Sequence, residues 1–167
     1  MEKFRFITGT GKIISFFEML KEINNFINEK KGIYKVMIGT DSEIDNNFVD
    51  FVSAVVVHRV GFGARFFYRR WQKSLSFYET ENKKSIYLIN QRIWEEVINS
   101  LDLAKSLIEN FKNINPQINF ELHIDVGYNG KTSQIIQELM NYIRGYGFEV
   151  KVKPNSFAAS KVADKFF

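Results

Sequence analysis

The stretch KVMIGTDSEIDNN, residues 35–47, decides how the chain is read. Val36, Met37 and Ile38 form an apolar run, and Gly39 and Thr40 lead straight into Asp41. A short apolar run bounded by turn residues marks a strand buried in a core. Its acidic end sets the question, because Glu43, Asp45 and Asp50 follow closely. An acid in that place either caps a turn or holds something positive.

The chain on either side supplies the frame. Upstream, IISFFEMLKEINNFINEK (13–30) sets Ile13, Phe16, Phe17, Leu20, Ile23, Phe26 and Ile27 at helical spacing. The first strand is expected over about 34–41. Downstream, FVDFVSAVVVHRV (48–60) is β-branched and aromatic, GFG (61–63) signals a hairpin, and ARFFYRRWQKSL (64–75) reads as a third strand. A polar stretch, 76–85, precedes a long helix over about 85–112. INFELHIDV (118–126) is a fourth strand, and 131–147 a helix closed by Gly145 or Gly147. FEVKVKP (148–154) is a fifth strand stopped by Pro154, and 157–167 a final short helix.

This order predicts an α/β fold. Three antiparallel strands are followed by parallel ones in a mixed five-stranded sheet, with flanking helices and an extra N-terminal helix. Functional groups belong at the carboxyl ends of the parallel strands, where the strand order switches. The 167 residues, 45% hydrophobic with 17 Phe, suit one domain over 1–167 with one core. There is no Cys, which excludes disulfides and a thiolate metal site. No apolar run approaches the ~20 residues of a membrane span, and residues 1–12 lack the apolar core of a signal peptide. The expectation is a cytoplasmic protein without a membrane partner. The net charge of +4 favours a polyanionic partner such as nucleic acid.

Two strands end in an acid: MIGTD at Asp41 and ELHID at Asp125. As parallel neighbours they would bring two carboxylates to one sheet edge, where each disfavours the other's charge. A divalent cation removes that conflict, and hard oxygen ligands suit Mg²⁺ or Mn²⁺. A turn or cap role for each acid is the competing reading. On the long helix, Glu96 falls about 60° from the centre of the apolar face, and Glu95 turns to solvent, at about 100° per residue. Glu96 either reaches toward the sheet or pairs with Arg92 one turn earlier. Asp164 points away from the apolar face of the last helix, as a solvated acid would.

Other signals compete. DVGYNGKT (125–132) nearly spells the phosphate loop G-x-x-x-x-G-K-[ST], but Asp125 stands at its first position, where phosphate would approach. The amides of Gly130, Lys131 and Thr132 still open a helix and suit a substrate phosphate. His123 shares a strand face with Glu121 and Asp125, as a metal ligand, a proton carrier or a structural residue. His58 reads as a strand residue. Arg69, Arg70 and Trp71 form a basic-aromatic group, either a grip on a strand or a charged edge. A nucleophile elbow, G-x-S-x-G, does not occur.

Taken together, GTDS (39–42), FVSAVVVHRVGFGARFFYRR (51–70), RIWEE (92–96), LHIDVGYNGKT (122–132) and KPNSFAASKVADK (153–165) resemble the YkuK family of ribonuclease H-like proteins. The resemblance spans about residues 4–166. It implies a ribonuclease H-like fold and a metal-dependent nuclease hydrolysing phosphodiester bonds with two Mg²⁺ or Mn²⁺ ions. It also implies that Asp41, Glu96, Asp125 and Asp164 are the metal-binding and catalytic acids. Asp41 would bridge the ions. Lys131, Lys161 and Lys165 would contact backbone phosphates of RNA, DNA or a hybrid. The chain departs from well-studied ribonucleases H in lacking a loop His and a separate basic hybrid-binding domain. A non-catalytic nucleic-acid or protein-binding module on the same fold is the alternative.

Overall fold

The computed structural model of the chain describes residues 4–78, 85–111, 118–128 and 133–167. In order along the chain these form β1 (Arg5–Thr8), β2 (Ile13–Ser15), α1 (Phe16–Glu29), β3 (Tyr34–Asp45), β4 (Phe48–Arg59) and β5 (Gly63–Ser74). A 3₁₀ turn (Leu75–Phe77), α2 (Ile86–Phe111), β6 (Asn119–His123), α3 (Ser133–Gly145), β7 (Glu149–Lys151) and α4 (Phe157–Asp164) follow. One seven-stranded sheet runs in the order β2-β1-β5-β4-β3-β6-β7. The antiparallel meander β3-β4-β5 and the parallel strands β6 and β7 stand as the sequence predicts.

The count of five strands is corrected to seven. Residues 5–8 and 13–15 pair antiparallel, and β1 continues the sheet beyond β5. Ile13 therefore belongs to a strand, not to the first helix. Ser15 and Glu18 set the helix start. The Glu18 amide donates to Ser15 Oγ at 3.2 Å, and the Ser15 amide donates to the Glu18 carboxylate at 2.7 Å. This reciprocal capping satisfies two of the amides that a helix start leaves unpaired. The S-x-x-E spacing carries that signal, and the longer apolar periodicity masks it.

Hairpin geometry fixes the meander's register. Asp45 pairs with Phe48, leaving a two-residue turn in which Asn46 takes φ +51°. Asn tolerates that left-handed conformation better than most residues. Two faces then differ in cover. On one, Phe16, Met19 and Ile23 of α1, Val97, Leu103 and Leu107 of α2, and Ile136 and Leu139 of α3 close over Val36, Ile38, Val55, Val57 and Leu122. On the other, Ala163 of α4 packs on Val52 and Ala54, with Tyr68 and Phe166 alongside. No helix among the described residues is long and apolar enough to cross a membrane.

Leu122, fully buried between β3 and the helical layer, and Ile13, 66% exposed, should respond differently to truncation. Leu122→Ala is expected to cost about 2–5 kcal/mol. Ile13→Ala should stay within about 0.5 kcal/mol of the parent. Urea unfolding midpoints check both.

Candidate functional site

Parallel pairing of β3 with β6 ends at Ile38 and Leu122. Asp41 lies three residues beyond Ile38, and Asp125 three beyond Leu122. The two strands part at that level. β6 stops at His123, so Asp125 lies past the strand that the sequence expectation extends to 126. The following backbone stays bonded to the end of β7 and the residues just after it. The Ile124 amide donates to the Lys151 carbonyl at 2.9 Å, and the Lys153 amide to the Val126 carbonyl at 2.8 Å. The β7 side thus stays bonded past His123 while pairing with β3 ends at Ile38 and Leu122, and a gap opens at the strand ends.

Two cavities meet at this gap. On the α4 side, one of about 500 Å³ is lined by Asp41, Asp125, Asp164, Lys153, Lys161, Pro154 and Ser156. On the α2 side, one of about 270 Å³ is lined by Asp41, Asp125, Glu96, Arg92 and Ser42, with Ile89, Ile93 and Val126 as its apolar wall. Asp41 and Asp125 belong to both linings and so form the partition. Glu96 reaches the gap from one face of the sheet, and Asp164, exposed at the end of α4, from the other.

The local structure holds Glu96 firmly. Ser42 Oγ donates to Glu96 Oε1 at 2.5 Å and accepts from Arg92 Nε at 3.0 Å, while Arg92 Nη2 donates to the Ser42 carbonyl. Arg92 therefore reaches Glu96 through Ser42 rather than by direct pairing at i−4. One turn further on, Ser100 Oγ bonds the Glu96 carbonyl at 2.8 Å and Thr40 Oγ1 at 2.9 Å, and Thr40 meets Ser53 at 2.7 Å. These small hydroxyls tie α2 closely to β3 and β4. Glu95 is not simply solvated: Lys73 Nζ and Tyr78 Oη both donate to its carboxylate.

Charge is costly here. Burial, then the Asp125 and Asp164 carboxylates, push Asp41 from its ordinary 3.8 up to about 6, against a 2.9 Å bond from the Ser42 amide. Burial, then Asp41, push Glu96 from 4.5 up to about 8, against Ser42 and Arg92. These are the effects of desolvation and like charge. Asp125 is the best compensated of the group, with Lys153 Nζ at 2.7 Å from Oδ2. Among the described residues, no three His, Asp or Glu side chains close into a metal-ligand set. The acids share a gap without converging on one point.

The other expected residues scatter. Lys161 lines the larger cavity, whereas Lys165 lies beside the Phe166 ring, 5.9 Å from its centroid, and lines neither. Lys131 and its neighbours Gly130 and Thr132 lie outside the described residues. His123 is 3% exposed and lines neither cavity. Its Nε2 sits 3.2 Å from Glu121 Oε2, and Lys35 Nζ bonds the same carboxylate at 3.0 Å. Burial lowers its pKa, against the pull of Glu121. Arg69 and Arg70 send their side chains to opposite faces of the sheet. Strand alternation sends Arg69 to the α2 side, and Arg70 to Asp50 at 2.9 Å and the Phe166 carbonyl. Sequence reasoning misses Lys153 and Ser156 as cavity residues, and it takes Ser42 only as part of GTDS.

A family model described as Ribonuclease H-like matches residues 18–167. The chain belongs to the ribonuclease H-like family. It is also 25% identical, over 169 aligned residues covering 99% of this chain and 98% of the relative, to a Bacillus subtilis (strain 168) protein named "Uncharacterized protein YkuK". No solved structure gives a significant match. The expected resemblance to YkuK-type ribonuclease H-like proteins thus stands, and with it the fold class. A ribonuclease H-like fold is in general one of nucleases and nucleic-acid-binding proteins, commonly with divalent metals.

The raised carboxyl pKa values fix the sign of a pH effect. The folded protein holds these protons more tightly than the unfolded chain does. Stability from the two sites is therefore full below about pH 4 and is lost as pH rises toward about 8. Calorimetry of metal-free protein should show the thermal midpoint falling between about pH 5 and 8. Glu96→Gln should flatten that fall, by roughly 2–4 °C for each kcal/mol relieved. An unchanged slope in Glu96→Gln would remove Glu96 as its source.

Proposed function

We propose that this protein is a divalent-metal-dependent phosphodiesterase acting on nucleic acid. One observation carries the reading. Asp41 and Asp125 stand at matching positions beyond the last β3–β6 pair and partition a gap that Glu96 and Asp164 enter from opposite faces. Family membership supports it.

The residues fit Mg²⁺ or Mn²⁺ in donor chemistry. The donors are oxygens only, and two of them are held above their ordinary pKa by burial and by neighbouring acids. Asp41, Glu96, Asp125 and Asp164 would hold the ions, with Asp41 and Asp125 common to both sides. When bound, such ions supply Lewis acidity that lowers the pKa of water and stabilises a leaving oxygen.

The chain's own groups do the rest. The Arg92–Ser42 pair fixes the Glu96 carboxylate, so little rotamer freedom remains to be lost on ligation. Ile89, Ile93 and Val126 give the smaller cavity an apolar wall, and the burial of Glu96 beside it strengthens charge interactions at that carboxylate. Lys153 and Lys161 bring ammonium groups to the larger cavity, where a phosphodiester's charge would lie. Strand binding should then weaken as salt rises.

A second reading has one observation in its favour. Lys153 already neutralises Asp125, as a resident counter-charge would in a non-catalytic nucleic-acid or protein-binding module.

Thermal melting against Mn²⁺ or Mg²⁺ separates the two. A metal site stabilises the fold by RT ln(1 + [L]/Kd), and Asp41→Asn should abolish that gain. Cleavage of single-stranded RNA, DNA, hybrid and branched substrates should follow the same variant. Its activity is expected to drop more than about a hundredfold, beyond what losing a residue that merely orients a ligand costs. Salt-sensitive strand binding with neither metal stabilisation nor cleavage would establish the binding module instead.

A further inference from the structure

Arg69 of β5 is 7% exposed, and its guanidinium lies against two aromatic rings. Its central carbon lies 4.1 Å from the Phe4 ring centroid and 4.5 Å from that of Trp71. Trp71 in turn stacks on Phe51, with centroids 5.3 Å apart and planes 10° from parallel. Phe51, Trp71, Arg69 and Phe4 thus form one contacting cluster. Arg69 can meet a polar partner only through its N–H groups.

Those groups are poorly satisfied. Nη2 reaches Asn99 Oδ1 at 3.4 Å, at the long limit of a hydrogen bond, and the buried Nε has no acceptor. Among the described residues, no carboxylate lies at ion-pair distance. Leaving a buried charge this way is costly, and burial pulls the Arg69 pKa down to about 10.

The surroundings are open and basic. Arg69 lines a cavity of about 340 Å³ with Phe4, Arg5, Arg70, Trp71 and Asn99, and no acid is among these described lining residues. Arg70 is committed to Asp50, which leaves Arg5, exposed on β1, as the other cation of this lining. A neighbouring cavity of about 360 Å³ also touches Arg69, but there Asp102 and Glu109 face Lys105 and would repel an anion. Among the described residues, β1 pairs with β5 only at Phe67 and Tyr68.

We propose that Arg69 and Arg5 form a phosphate-binding site in the cavity beside β5. A guanidinium fork accepts oxyanions in its plane, and a second guanidinium at the rim suits a dianionic phosphate better than a monoanionic carboxylate. Phe51 and Arg69 already lie against the Trp71 ring, so the ligand is held by its anion and not by a base stacked there. No acid of the carboxylate gap lines this cavity, and the site works without metal, so it stands or falls independently of the nuclease reading.

The test follows the arginine Nε–Hε resonances of ¹⁵N-labelled protein during titration at constant ionic strength set with chloride. Three arms use inorganic phosphate, a 5′-nucleoside monophosphate and a short single-stranded oligonucleotide, all without metal. One resonance, missing in Arg69→Lys, should shift saturably. Arg5→Gln, exposed and outside the core, should keep that resonance and weaken the phosphate Kd about tenfold, as loss of one charge-assisted contact does. Tighter saturation by the monophosphate assigns the site to free phosphate esters, and tighter saturation by the oligonucleotide assigns it to a strand backbone. No saturable shift at Arg69 in any arm, or an affinity indifferent to Arg5→Gln, overturns the proposal.

Discussion

Two parallel strands that part after Ile38 and Leu122 leave Asp41 and Asp125 facing one gap, and the cost of charging acids there shapes the rest of the molecule. A domain of this size is stable by only about 5–15 kcal/mol. Pushing a buried carboxyl such as Glu96 to about 8 draws on a good part of that margin. The helical layer over Val36, Ile38 and Leu122 makes the arrangement tolerable, because apolar burial there is nearly complete. The sheet is thus stabilised where it is paired and strained electrostatically where it opens.

The gap is built asymmetrically. On the α2 side, Arg92, Ser42, Thr40, Ser53 and Ser100 form a connected set of hydrogen bonds that fixes one carboxylate and the helix bearing it. On the α4 side, lysines supply compensation, and Lys153 lies directly on Asp125. An ammonium on a flexible stem is a replaceable counter-charge. A relayed guanidinium that also bonds a backbone carbonyl is not. Rigidity on one wall and exchangeable charge on the other suit a site that takes up and releases a cationic or phosphate-bearing partner.

Much of this was legible in the residues. The apolar run ending in Asp41, the meander and the 3.6-residue period around Glu96 led to the correct elements, because long periodic segments signal their type strongly. The acids at matching strand ends could be paired because strand direction follows from the connecting helix. The short β1 and β2 were not legible: four and three residues carry too little alternation, and the apolar period of α1 runs into them. Glu95 was misjudged because its partners, Lys73 and Tyr78, come from β5 and the turn beyond it, which helix periodicity does not see. Lys153 was missed for the same reason. Its role depends on β6 turning toward β7 after His123, a matter of backbone bonding between distant segments.

The single cover of one sheet face carries a further consequence. α4 has eight residues, sets Ala163 against Val52 and Ala54, and ends in the acid that enters the gap. A helix of about two turns has few internal hydrogen bonds to lose and belongs to the low end of a protein's local unfolding energies. Its amides should exchange with solvent sooner than those of α2. Any ion shared between Asp164 and the sheet would act as a clasp on that helix, coupling the order of the chain's last segment to the occupancy of the gap.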